Sequence, residues 1–555
     1  MLAGCTPWPE EFQKLYRAKE YWEDRTLYEV LEDSIKKYPS KAALIYNNER
    51  YTYAELGEKI NNLASNLVKT GLKPLDRVVL QLPNIPQFVF AYYAMVKIGV
   101  IPIMALPAHR KTEIGHFIKF SGARAYFAPD QYRKFDYREM AEEIRAEAAC
   151  LEYVFVVGEP QPGQIGLDEL LEKPAEDEEV KAFLSGFRPD PCEVTLMLLS
   201  GGTTAMPKLI PRTHNDYVLN SKASGVVAGF SEDTVYLAIL PIAHNFALGS
   251  PGLQAAFFNG GTVVLSPGTD EETVWPIIEK EKVTVTSIAT PLVNMWLNSP
   301  ILGKYDLGSL KVIQTGGAKL PGNLRQRLME EFHCICQEVF GTGEGLLNLT
   351  RLNDEEEHLL NSSGAPVCED DEIKVIDENG NELPDGEAGE LIVRGPYTIR
   401  GYYNVPETNA HAFTKEGFYR MGDVVRKFGR YIYSEGRIKD LINRGGEKIS
   451  CEEVEGFISA HPKVKSCCLV AMPDEVYGEK GCAYVIPRPG EMLTFKELID
   501  FLLTKGIAKF KLPERLEIVD SFPLSNVGKI LKRTLREQIA AKLAEEKEAA
   551  GKGNV

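Results

Sequence analysis

The sequence predicts an α/β protein in which a large N-terminal part, made of helix-covered and largely parallel sheets, is followed by a small, mobile α+β unit. Two observations predict this. The first third alternates short β-rich runs with amphipathic helical segments, the pattern of crossover units that lay helices over a parallel sheet. Near the end the texture changes to paired strand-like runs and separate helical segments. A chain of 555 residues also exceeds the size at which one hydrophobic core keeps growing, so at least two domains are expected.

In chain order, residues 42–46, 77–81 and 101–104 read as strands, and residues 53–69 and 85–97 as helices. Within 53–69, Leu56, Ile60, Leu63 and Leu67 recur at steps of four, three and four, which places them on one helical face. The charged stretch 172–179 reads as a surface connection. Farther on, 467–472 and 482–486 read as strands, 494–505 and 534–546 as helices, and the last residues, rich in Lys, Glu and Gly, are expected to fray. The expected organisation is a domain at 1–436, a hinge at 437–439 and a small domain at 440–555.

The formal charge of -16 argues against a general nucleic-acid binder, which carries a basic face to neutralise phosphates. The charge is uneven: from Arg437 onward 20 Lys and Arg face 18 Asp and Glu, or +2, which leaves -18 for the residues before. Ten scattered cysteines without a CxxC pair predict reduced thiols in a cytoplasmic protein. Leu2-Ala3-Gly4-Cys5 looks like a lipoprotein cleavage box, but no charged and apolar segment precedes it. No uninterrupted apolar run approaches the ~20 residues of a membrane helix, so no membrane association is expected.

The strongest local signal is Ser200-Gly201-Gly202-Thr203-Thr204-Ala205-Met206-Pro207-Lys208, directly after an apolar run at 194–199. Glycines let backbone N–H groups approach an anion, hydroxyls donate to phosphate oxygens, and the lysine adds charge. The spacing is not that of a Walker loop. Nor is Gly341-x-Gly343-x-Gly345 a dinucleotide fingerprint, because its third glycine falls one residue early.

The loop resembles the phosphate-loop signature of the adenylate-forming superfamily of acyl-CoA synthetases, peptide-synthetase adenylation domains and firefly-type luciferases. Further signatures of that superfamily follow in order: Gly316-Gly317-Ala318-Lys319, Phe340-Gly341-Thr342-Gly343-Glu344, Tyr419-Arg420-Met421-Gly422-Asp423, Gly436-Arg437-Ile438-Lys439-Asp440 with Gly445-Gly446-Glu447-Lys448-Ile449, and the stretch from Pro523 to Lys529. The resemblance implies an enzyme that uses ATP and Mg2+ to turn a carboxylate into an acyl adenylate and then passes the acyl group to a thiol. It implies that Ser200, Gly201, Gly202, Thr203, Thr204 and Lys208 hold phosphates. Gly317, Ala318 and Phe340 hold the adenine, Asp423 and Arg437 the ribose, and Lys319 and Gly341 belong to the same ATP site. Glu344 is the implied magnesium carboxylate, Lys529 the mobile catalytic lysine, and Lys439 the hinge.

Thr6-Pro7-Trp8-Pro9 and Leu240-Pro241-Ile242-Ala243-His244-Asn245-Phe246 resemble the siderophore-type branch, the 2,3-dihydroxybenzoate and salicylate AMP ligases. In that reading His244 is a catalytic and gating residue beside the substrate carboxylate. Asn245 reads a 2-hydroxyl, and Phe246, Ser250, Gly316 and Leu347 complete the acid pocket. Ser250 is the residue of the dihydroxybenzoate type and Leu347 that of the salicylate type, so 2,3-dihydroxybenzoate is favoured and salicylate stays open. The implied partner is an aryl carrier protein with a phosphopantetheine arm, separate because no serine follows Lys529; free coenzyme A is the alternative acceptor. Ala205, Gly343 and Met421 depart from the superfamily pattern. They keep open a nucleotide-binding regulator without catalysis.

Overall fold

The structure is a computed structural model that describes the chain apart from residues 201–205, 446, 475, 506, 526–528 and 553–555, with only the backbone described at 439, 448 and 548–552. Two large sheets dominate the first three hundred and seventy or so residues. A nine-stranded sheet is parallel through its centre and antiparallel at both ends, and a seven-stranded sheet is parallel except where Leu209–Thr213 returns along Val194–Leu199. Their inner strands, such as Thr262–Leu265 and Ile101–Met104, are buried at every residue. Sheets covered on both faces require this continuous apolar texture.

The expected strands at 42–46 and 101–104 and the expected helices form as anticipated. Helix Tyr53–Thr70 starts on a capping box between Thr52 and Glu55 and ends on Gly71 in the left-handed region, and its Leu56, Ile60, Leu63 and Leu67 are fully buried. Helix Pro86–Lys97 is buried around its whole circumference, because it touches strands of both sheets.

A four-stranded antiparallel sheet, Glu372–Ile376, Gly389–Arg394, Tyr419–Phe428 and Tyr431–Arg437, comes next. After the single turn Ile438–Asp440, a five-stranded sheet is built around the long hairpin Val464–Asp474 and Gly478–Pro487. Helices Cys451–Ser459, Phe495–Thr504 and Lys532–Lys552 pack on it, and its two apolar clusters contain only residues from Ile442 onward.

One expectation is corrected. Helix Glu178–Gly186, capped by Asp177, begins inside the stretch expected to be a connection. The tail is helical as far as Lys552, since Ala, Glu and Lys are strong helix formers, and the last residues, 553–555, expected to fray, lie outside the described residues. All ten cysteines are free thiols. Among the described residues no helix is long and apolar enough to cross a membrane.

Candidate active site

Strands Val194–Leu199, Val235–Ala238, Val312–Gly316 and Ile335–Thr342 run out at their carboxyl ends into one cleft, which the small unit covers from the other side. Open α/β sheets bind ligands at this position. The volume of about 2270 Å³ exceeds the roughly 300–1,000 Å³ of a single small-molecule site, leaving room for a nucleotide and a second reactant. Every described residue expected to touch nucleotide, acid or the reacting atoms lines it.

At one end, Ser200 and Lys208 close the glycine-rich loop on itself. Ser200 N–H donates to the Lys208 carbonyl (3.0 Å) and Lys208 N–H to Ser200 Oγ (2.9 Å). Gly201, Gly202, Thr203, Thr204 and Ala205 lie outside the described residues. The Lys208 ammonium stands 4.6 Å from the centre of the Tyr402 ring. The Tyr402 hydroxyl in turn donates to Glu344 Oε1 at 2.7 Å. Gly345 makes this corner possible: its φ is +128°, and a Cβ would meet Thr398 Cα at 2.4 Å, so only glycine lets the chain double back behind Glu344.

Beside this corner, Gly316 ends its strand in register with Val339, and Gly317, Ala318, Phe340 and Gly341 line the cleft next to it. Lys319 directs its ammonium to the Ser434 carbonyl (2.8 Å), and burial lowers its pKa. Asp423 and Arg437 face each other on paired strands with Nε 2.7 Å from Oδ1. Burial raises the Asp423 pKa to about 6, against the pull of Arg437, so its carboxylate is charged at pH 7. Its Oδ2 has no hydrogen-bond partner among the described residues, a buried acceptor that calls for a donor.

No group of three or more His, Cys, Asp or Glu among the described residues forms a metal cage. Glu344, a nearly buried hard-oxygen donor beside Lys208 and the loop ends, nevertheless fits magnesium, which takes one or two carboxylates and fills its remaining positions with substrate phosphates and water.

The other end is lined by His244, Asn245, Phe246, Ser250 and Leu347. His244 caps the short helix Asn245–Gly249, its Nδ1 accepting from Phe246 N–H at 3.2 Å. Burial, helped by the charge of Lys529, lowers its pKa to about 4. The ring is therefore neutral at pH 7 and carries its proton on Nε2. Asn245 Oδ1 accepts from the Tyr217 hydroxyl at 2.8 Å, and Ser250 Oγ accepts from Asn220 Nδ2 at 3.0 Å. Phe246, Leu347 and Gly316 supply apolar walls.

Lys529 belongs to a hairpin of the small unit. Leu524 pairs with Ile530, Ser525 N–H donates to the Lys529 carbonyl at 2.7 Å, and Lys529 N–H donates to Ser525 Oγ at 3.0 Å. The side chain reaches over Gly317: a Cβ built on that glycine, whose φ is +86°, would stand 3.2 Å from Lys529 Cε and 3.7 Å from Nζ. Its charge acts on both His244 and Asp423, which places it between the two ends of the cleft. Lys439 lies in the turn Ile438–Asp440 that leads into the small unit, and its side chain is outside the described residues.

Residues 31–403 match the AMP-binding enzyme family and residues 453–529 match the AMP-binding enzyme C-terminal domain. The chain belongs to the AMP-binding enzyme family. It is 43% identical to 2,3-dihydroxybenzoate-AMP ligase of Bacillus subtilis (strain 168), over 98% of this chain and 99% of that one. It is 43% identical to pyochelin synthase PchD of Pseudomonas aeruginosa (strain UCBPP-PA14), over 97% and 96%. Among solved structures, apo MbtA of Mycobacterium smegmatis superposes with a TM-score of 0.73 at 38% identity, covering 97% of this chain and 99% of that one.

In this AMP-binding enzyme several residues that shape the cleft escape a reading of the sequence. Tyr402 holds Glu344 and meets the Tyr419 hydroxyl at 3.1 Å; only Tyr419 lies in a recognisable motif. Tyr217 and Asn220, on a helix whose polar residues are buried, and Arg212, on the strand before it, stand behind the His244 end, outside every motif. A signal existed: once 214–227 is known to be helical, Asn215, Asp216, Asn220, Ser221 and Ser224 spread over several of its faces, which a helix with a single solvent face does not need.

Proposed function

We propose that this enzyme adenylates an aromatic carboxylic acid with ATP and then transfers the aryl group to the phosphopantetheine thiol of a separate carrier protein, as in siderophore assembly. The observation that carries the proposal is the Lys529 side chain over Gly317, in one cleft lined by both the expected nucleotide residues and the expected acid residues. The whole-length likeness to 2,3-dihydroxybenzoate-AMP ligase supports the substrate class. Ser250 favours 2,3-dihydroxybenzoate within it. Leu347 and the likeness to pyochelin synthase PchD keep salicylate as the second candidate.

In the first half-reaction a carboxylate oxygen attacks the α-phosphorus of ATP, a P–O bond to pyrophosphate breaks, and aryl-AMP forms. Two like charges at about 4 Å repel by ~4 kcal/mol at an effective dielectric near 20, a roughly thousandfold handicap. The Lys529 ammonium offsets that repulsion and stabilises charge as it develops on the phosphorus oxygens. Asp423 accepts from the ribose hydroxyls through its unpaired Oδ2, and Arg437 holds the carboxylate in place. Glu344 and the loop from Ser200 to Lys208 hold the phosphates together with magnesium, which when bound neutralises phosphate charge. His244, neutral and protonated on Nε2, offers a donor to the acid's carboxylate without competing with Lys529 for charge.

In the second half-reaction the thiol sulfur attacks the acyl carbon, the C–O bond to AMP breaks, and the thiol proton passes to solvent. We assign Lys439 as the pivot about which the small unit turns so that Lys529 leaves and the thiol enters. ATP–pyrophosphate exchange over a panel of benzoates tests the reading, followed by thioester formation on a holo carrier protein and on coenzyme A. Exchange with hydroxybenzoates and loading of the carrier are expected; no exchange with any aromatic acid contradicts it.

A further inference from the structure

Helix His214–Val227 is buried on nearly every side, although its inner positions are polar. At its base lies an ion pair with no solvent exposure. Arg212 Nε stands 2.7 Å from Asp216 Oδ1, while Asp216 Oδ2 accepts from the backbone and side chain of Thr213. The remaining guanidinium donors reach the Gly343 carbonyl (2.8 Å), the Tyr397 carbonyl (3.2 Å) and Asn220 Oδ1 (3.4 Å). The rigid fork of an arginine fixes the directions of all these partners at once.

Two side chains of the helix pass this order to the acid pocket. Asn220 cannot turn its amide over, because Nδ2 donates to the Gly249 carbonyl at 2.6 Å and Oδ1 faces Arg212. Ser250 Oγ therefore accepts from Nδ2, and its own proton goes to none of the described residues. Tyr217 behaves alike toward Asn245. The Asn245 amide has Nδ2 toward the Thr342 carbonyl at 3.5 Å, and the reverse orientation would set two acceptors against each other. Its Oδ1 is then left to the Tyr217 hydroxyl, and the second N–H of Nδ2 is left for the cleft.

We propose that Tyr217 and Asn220 are positioning residues that make Asn245 and Ser250 hydrogen-bond donors toward the acid pocket, so that the enzyme selects ring substituents able to accept hydrogen bonds. The inference rests on the aryl-acid reading above. A 2-hydroxyl beside a carboxylate gives its proton to that carboxylate and turns a lone pair outward, which suits Asn245. A 2-amino group presents N–H instead, because its lone pair is delocalised into the ring, and meets a second donor.

The test is ATP–pyrophosphate exchange with salicylate, benzoate and 2-aminobenzoate. In Tyr217→Phe the ratio of kcat/KM for salicylate over benzoate is expected to fall about tenfold, the size of one hydrogen bond of about 1.4 kcal/mol, with benzoate changed by less than about threefold. An equal loss for both acids overturns the proposal, because a purely structural role has no means of distinguishing them. The unaltered enzyme gives a second readout that needs no variant: 2-aminobenzoate should be used no better than benzoate, and use within about threefold of salicylate overturns the proposal. Absence of exchange with all three acids in the unaltered enzyme instead removes the adenylation reading, and this inference with it.

Discussion

The two ends of the cleft are organised on opposite principles. The acid end is held from within one body, by a buried helix whose Tyr217 and Asn220 grip Asn245 and Ser250. The reacting end depends on an element from the other body, since Lys529 reaches Gly317 from a hairpin of the small unit. The difference follows from what each end must do. Recognition of a flat acid gains from preorganisation, because fixed donors need no rearrangement on binding. A cation required in one half-reaction and obstructive in the next gains from being removable.

If the comparison holds, damage at the removable end should be large and confined to one half-reaction, and damage at the fixed end smaller and dependent on the acid. Lys529→Ala is expected to lower ATP–pyrophosphate exchange about a thousandfold, the handicap of an uncompensated ~4 kcal/mol repulsion. Asn245→Ala should lower kcat/KM for salicylate by about ten- to a hundredfold through loss of one buried hydrogen bond, with benzoate much less affected; equal losses would remove Asn245 as the reader of the 2-hydroxyl.

Asp423 supplies the next step down. With its pKa raised to about 6 by burial, it is charged at pH 7 and becomes neutral as pH falls through 6, losing its ability to accept two strong bonds. The KM for ATP should therefore rise by about tenfold between pH 7 and pH 5, and Asp423→Asn should flatten that rise. Burial also makes the charged form costly to the fold, so this group opposes stability in full above pH 6; the opposition declines as pH falls from 6 toward the ordinary value of 3.8 and is gone only below it. His244, with its pKa near 4, contributes no titration over the same range. The smallest effect is expected for Ser250→Cys, a shift of a few-fold toward salicylate over 2,3-dihydroxybenzoate; an unchanged ratio would remove Ser250 from recognition of the 3-position.

Two buried helices show what a sequence discloses and what it hides. Pro86–Lys97, read from the sequence as an amphipathic segment, is buried all round, because it lies against strands of both sheets. His214–Val227 is buried along most of its length but polar, and hydrophobic periodicity offers no handle on it. The same holds at the site. Ordered loop motifs locate Glu344, Asp423 and Lys529 because backbone chemistry there demands particular residues at particular spacings. Tyr402, Arg212 and Tyr217 act by contacts made across 58, 131 and 28 residues of chain, and such pairings exist only after folding. Lys319 shows the converse: it stands in a motif, yet its charge is directed to a backbone carbonyl of a neighbouring strand.

In this reading Lys529 serves the meeting of two anions and nothing later. The direct measurement compares both half-reactions in Lys529→Ala: exchange from acid and ATP, and thioester formation from supplied aryl adenylate and a holo carrier protein. Exchange is expected to fall about a thousandfold, with transfer retained to within about tenfold. Losses of the same size in the two half-reactions would contradict it.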